Sequence, residues 1–191
     1  MELLDQTKRL VIKHYENKNQ DRLQHILGVV EMAELLALKY GADPIKAKIA
    51  AYMHDYCKYD EVDEIKKYLS QAEIIECERF PFLYHAYGSA YIYRKYIGDD
   101  LDIFNAIYNH VFGRCNMSLL EKIIMISDYT EINRKYPSCI KCREILLNEG
   151  IDKAILYSLE NTINHVKARN EIPHPIQLEV YNEYIIKVGN N

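Results

Sequence analysis

Glycine and proline are scarce, at 7 and 5 of 191 residues, tryptophan is absent, and alternating apolar and polar stretches of useful length are missing. The shortage of glycine and proline, with no alternation, argues against strands and the tight turns that join them. The missing tryptophan carries no functional reading, because 17 tyrosines supply amphipathic aromatic packing in its place. No apolar run approaches the roughly 18 residues of a membrane span, so no membrane partner is expected. A basic excess is lacking too. The formal charge of -4 and pI near 6.0 exclude a broad electropositive face for long nucleic acid, yet admit a small phosphorylated ligand neutralised by a few local cations or a metal. The five cysteines (Cys57, Cys77, Cys115, Cys139, Cys142) are an odd number without framework spacing, and no charged-then-apolar leader opens the chain. Free thiols in a reducing cytoplasm are therefore expected. Cys139 and Cys142 form one CxxC without a partner pair, and neither zinc nor redox chemistry is assigned to them.

What is present is a repeated three-four spacing of apolar residues, which predicts an all-α protein of a single domain, long enough to bury most of its apolar surface. Residues 21–40 read as a helix stopped by Gly41, and Asp43 with Pro44 starts another that runs to about Lys58. Further helices are expected from Pro81 to about Ile97, over 101–111, from a Ser118–Glu121 capping box to about Tyr136, over 139–148 and 152–169, and as a C-terminal helix over about 176–188. The domain core is placed at about 20–170.

Turning these helices by 100° per residue puts His25 inside its apolar arc, in register with Val29, Met32 and Leu36. His54 continues the run from Ile49 to Met53, with Asp55 beside it. His110 completes the stripe of Ile103, Ala106 and Ile107, and Asp128 continues from Ile124 and Met125. His85 stacks with Gly88, Ser89 and Ile92, small residues that permit close approach. His14, His165 and His174 fall in polar or terminal contexts and are expected to be solvated.

Any one of these histidines alone reads as a hydrogen-bonded core residue. The ordered set is different, because five helices each aim a histidine or carboxylate inward. One unpaired buried carboxylate costs several kcal/mol, and two would threaten a domain whose net stability is about 5 to 15 kcal/mol. A divalent metal resolves this, since imidazole and carboxylate are donors that iron, manganese or zinc accept.

The stretches RLQHILGVV, HDYCK, FLYHAYGSA, NHVFG and ISDYTEINRKYP resemble, in that order, the HD-domain superfamily of metal-dependent phosphohydrolases. More narrowly they are similar to its YqeK-type branch, the symmetrical bis(5'-nucleosyl)-tetraphosphatases, over about residues 20–182. The resemblance implies that His25, His54, Asp55 and Asp128 hold one metal and that His85 and His110 hold a second, with Asp55 bridging. It implies iron, with manganese or cobalt able to take the same ligands. It also matches Lys58 to a lysine near a substrate phosphate and Arg134 to the branch's arginine; Arg114 is a weaker substrate-binding candidate. The chain departs from the branch at Val111 and Phe112, where small hydroxyl residues are common, and fits it loosely from Asp60 to Phe80.

The function so implied is hydrolysis of diadenosine tetraphosphate to two ADP by metal-activated hydroxide, with a dinucleoside tetraphosphate as substrate and an ADP- or GDP-like product, in the cytoplasm. The same ligands would also serve another HD nucleotide phosphohydrolase, a di-iron oxygenase or a non-catalytic nucleotide-binding module. The tyrosine-rich segment from Phe80 to Ile97 offers a face for a homodimer, and burial within the chain explains it equally well.

Overall fold

Gly41 takes the left-handed conformation (φ 78°) at the point where its helix stops, and Ala42 then donates back to the Ala37 carbonyl oxygen at 2.9 Å. Two residues on, Asp43 Oδ1 accepts from the backbone N–H groups of Ile45 and Lys46 and opens the next helix ahead of Pro44. The computed structural model describes residues 2–189, and every regular element among them is helical. These are α1 (Glu2–Tyr15), α2 (Gln20–Tyr40), α3 (Pro44–Met53), α4 (Val62–Lys66), α5 (Gln71–Arg79), α6 (Leu83–Tyr96), α7 (Leu101–Tyr108), α8 (Leu119–Thr130), α9 (Pro137–Asn148), α10 (Ile151–Ala168) and α11 (Pro175–Gly189). No helix among the described residues is long and apolar enough to cross a membrane.

α2 packs on α3 and α8, α7 bridges α3, α6 and α8, and α9 and α10 close over α8 with α11 packed on α10. The core runs through Ile26, Val29, Ala33, Ala50, Met53, Ala106, Ile107, Ile123 and Ile124, all fully buried. α6 is buried almost throughout against its own chain, which accounts for its tyrosines.

The expected helices are present, with two of them stopping well short of the expected end. The helix from Pro44 stops at Met53 rather than Lys58, because the Tyr15 hydroxyl lies against the carbonyl oxygens of Asp55 (2.7 Å) and Tyr56 (3.0 Å) and the Cys57 N–H donates to Ser89 Oγ. The helix from the Ser118 capping box stops at Thr130 rather than Tyr136, since Arg143 of α9 donates to the carbonyl oxygens of Thr130, Glu131 and Arg134. Helices α1, α4 and α5 lie where no helix is read from the sequence. His174, expected to be solvated, is buried between Phe80 and Phe112. Its Nδ1 accepts from the Ile176 N–H at 3.2 Å, and its Nε2 lies 3.2 Å from Glu76 Oε1.

Candidate metal centre

The six inward residues meet. His25 comes from α2, His54 and Asp55 from the turn that ends α3, His85 from the first turn of α6, His110 from just beyond α7, and Asp128 from the last turn of α8. His54, Asp55, His85 and His110 are buried, while the Asp128 side chain keeps 25% of its surface exposed.

They form two trios. His25, His54 and Asp128 make one, and Asp55, His85 and His110 the other, each with ligand atoms within 4.8 Å of one another. Asp55 divides its carboxylate between them. Its Oδ2 lies 3.6 Å from His25 Nε2 and 3.4 Å from His54 Nε2, while its Oδ1 lies 3.0 Å from His85 Nε2 and 3.8 Å from His110 Nε2. Asp128 Oδ1 stands 3.0 Å from His25 Nε2 and 3.9 Å from His54 Nε2.

The tautomers follow from what lies behind each ring. His54 Nδ1 is 2.7 Å from the Ala51 carbonyl oxygen and His110 Nδ1 is 2.7 Å from that of Ile107, so Nδ1 must carry the proton and Nε2 the lone pair. His25 Nδ1 faces Glu131 Oε1 at 3.2 Å, with the same result. Gly28, one turn along α2, makes room for this carboxylate: a Cβ there would collide with Glu131 Oε2 and lie 2.9 Å from Asn133 Nδ2. Lone pairs and carboxylate oxygens therefore converge, and although Arg22 and Arg134 donate to the two carboxylates from the edge, the Nε2 atoms of His25 and His54 are buried without a hydrogen bond. A divalent cation fits. Metal–ligand bonds of about 2.0 to 2.2 Å place neighbouring donors about 3.0 to 3.5 Å apart, close to the spacing of the nearer pairs.

The electrostatics agree. Burial first, then the neighbouring imidazoles of His54 and His85, push His110 down to about 3, and burial lowers His85 as well, so both stay neutral ligands near neutral pH. Burial also works against His54 taking a proton, but the Asp55 and Asp128 carboxylates outweigh it and raise its pKa: the trio attracts positive charge. Burial would raise Asp55 and Asp128; His54 and His85 around Asp55, and Arg134 and His25 around Asp128, hold both carboxyls well below the usual range.

A model of the HD domain family matches residues 22–133, the stretch that contains all six clustered residues. The chain belongs to the HD-domain family. This HD domain is 40% identical over 173 residues to the symmetrical bis(5'-nucleosyl)-tetraphosphatase of Halalkalibacterium halodurans, a match covering 88% of this chain and 91% of the relative. To the protein of the same name in Bacillus subtilis it is 35% identical, with 85% and 89% covered. Among solved structures it is similar to a predicted HD superfamily hydrolase of Clostridium acetobutylicum, described as involved in NAD metabolism. There the TM-score is 0.84 at 34% identity, over 96% of this chain and 97% of that one. HD domains bind divalent metals, and the two trios are able to hold them.

Cations flank the HD cluster on both sides. Lys58 Nζ lies 3.4 Å from both ring nitrogens of His85, in a pocket of about 220 Å³. The chain turns after Met53, so Lys58 reaches the site from a loop and not from the end of the helix expected to run to about Lys58. Arg134 Nη2 donates to Asp128 Oδ1 at 2.7 Å, because the turn after Thr130 folds the arginine back. Arg114 is held elsewhere: its Nε and Nη2 donate to the two oxygens of Glu121 at 2.6 and 2.8 Å. Sequence reading missed Arg22, whose Nη1 donates to Asp55 Oδ2 at 2.6 Å and which lines a pocket of about 180 Å³ with His25, Tyr59 and Arg134. Its place one turn before His25 on the same face was the available signal. Glu131 was missed too, and it falls three residues after Asp128.

Proposed function

We propose that this HD domain hydrolyses dinucleoside tetraphosphates symmetrically, converting diadenosine tetraphosphate to two ADP, with two divalent cations in the trios and iron as the metal the resemblance implies. The names that its relatives bear support the reaction. The observation that carries the reading is Asp55, one carboxylate facing a full set of donors from each of its oxygens, as a two-metal hydrolase requires. Imidazole and carboxylate donors without thiolate suit iron, manganese or cobalt.

Cations held there supply Lewis acidity: a nucleophilic water near neutral pH and positive charge for the phosphoryl oxygens. The chain's own groups do the rest. Ala51, Ile107 and Glu131 lock three Nδ1 hydrogens in place and so aim the Nε2 lone pairs. Lys58 on one flank and Arg22 with Arg134 on the other receive the tetraphosphate, where positioning and electrostatics account for most of the rate of phosphoryl transfer. With Lys58 in one pocket and Arg22 and Arg134 in the other, a cut at the central anhydride leaves two phosphates per flank. The departing group is a nucleoside diphosphate whose terminal phosphate titrates at about pH 6, so no proton donor is needed for it to leave.

Incubating anaerobically purified protein with diadenosine tetraphosphate and resolving the products tests this. ADP alone is expected; ATP with AMP, or no turnover with iron present, overturns it.

A further inference from the structure

A cleft of about 530 Å³ shares Pro81 and Phe82 with the pocket that Lys58 and His85 line. It therefore borders the pocket on the Lys58 side of the second trio. Its walls are aromatic and apolar, from Phe80, Phe82, Phe112 and Ile172, and its floor carries one buried amide, Gln177. Two features there have no explanation within the fold. Phe82 leaves 59% of its surface bare beside a buried cluster, and among the described residues no aromatic ring pairs with it. Gln177 is only 1% exposed, yet its Oε1 has no hydrogen-bond partner, a costly state for a buried acceptor.

Between them the wall is rigid. His174 stacks on Phe112 at 4.8 Å and 18°, meets Phe80 edge-on at 4.3 Å, and is anchored at both ring nitrogens by the Ile176 N–H and Glu76. A flat ligand with a polar edge would stack on the free face of Phe82 and donate an N–H to Gln177. An adenine has that shape, and an amide of glutamine matches the N6 and N7 edge of adenine bidentately. Phosphates do not suit the cleft, which offers the carboxylate of Glu171 against the single guanidinium of Arg79.

Resting on the hydrolase reading above, we propose that this cleft is the subsite for one adenine of the substrate, with Phe82 as its stacking platform and the Gln177 amide, turned about its terminal torsion so that the buried Oε1 faces the cleft, as the acceptor for its exocyclic amine. The other nucleotide then extends along the flank of Arg22 and Arg134.

Isothermal titration of the metal-loaded protein with ADP, and with inorganic pyrophosphate as a probe lacking the base, tests it. Phe82→Ala, an exposed position whose truncation leaves the core alone, should weaken ADP about tenfold, and Phe82→Trp should restore it. Gln177→Met should weaken ADP about fivefold. Pyrophosphate should bind the parent and all variants alike. ADP bound as tightly by Phe82→Ala as by the parent, a parallel loss of pyrophosphate affinity, or a Phe82→Ala change confined to the sedimentation of a dimer would each overturn the subsite. The two readings fail separately. A parent that leaves diadenosine tetraphosphate intact while its ADP affinity follows Phe82 defeats the activity alone; a parent that yields two ADP with an affinity indifferent to Phe82 defeats the subsite alone.

Discussion

His25 and Asp128 stand at a mouth in front of the fully buried His54, with Asp128 partly exposed and Arg22 and Arg134 pressing on the carboxylates, whereas His85 and His110 are both buried with Lys58 nearby. The first trio thus carries a carboxylate of its own beside the shared Asp55, and competing protein cations with it. The second relies on imidazoles that burial keeps neutral, and on the other oxygen of Asp55. The first trio gains charge and the second gains ready-made lone pairs, so a change at Asp55 should affect both and a change at any other ligand only one.

The largest effect should come from Asp55→Asn, which weakens both trios together. Its kcat/KM for diadenosine tetraphosphate is expected to fall at least about 10³-fold, with metal content by mass spectrometry dropping toward zero. Retention of both metals would break the picture of a shared carboxylate. Next come His54→Ala and His110→Ala, one from each trio. Each should cost roughly a hundredfold in turnover while metal content falls from about two to about one per chain, and loss of both ions from either variant would show that the trios are not separable. Smaller again is Glu131→Gln, which keeps the shape behind His25 but removes the charge that orients it. Metal affinity at the first trio should drop about tenfold with the second unchanged, as chelator competition would show.

The smallest effect concerns a carboxylate balanced by the protein's own cations. Asp60 receives His14 Nε2 at 3.1 Å and Lys18 Nζ at 2.5 Å, and against the upward push of burial these partners hold it at about 2. Because its folded pKa lies below the unfolded one, the stabilisation is complete above about pH 4 and is lost as pH falls toward 2. Asp60→Asn should lower the melting temperature by a few degrees at pH 6 and by less at pH 3, with or without metal. An unchanged gap at the two pH values would mean that the pair contributes nothing through charge.

Much of the centre was legible in the chain. Five of the clustered histidines and carboxylates lie on, or continue, stripes of three-four spacing with buried neighbours, and the Asp43 cap, the Ser118 box and the Gly41 stop are local signals that the folded chain obeys. Other parts were hidden for a consistent reason. Tyr15 ends α3 from forty residues away, and Arg143 ends α8 from the next helix, so both boundaries belong to contacts that no window of neighbouring residues contains. His174 follows a proline in a polar stretch and looked solvated; Phe80 and Phe112, remote in sequence, bury it.

By itself, then, the sequence determined that the protein is helical and that imidazoles and carboxylates from separate helices point inward, because both are matters of a period of 3.6 residues read over one or two turns. Only the tertiary structure decided that Asp55 would give one oxygen to each trio, that Arg22 and Arg134 would turn back on the carboxylates, and that Gln177 would be left with an unused acceptor. Those outcomes depend on distances of a few ångström between helices far apart in the chain, set by how their buried faces interlock.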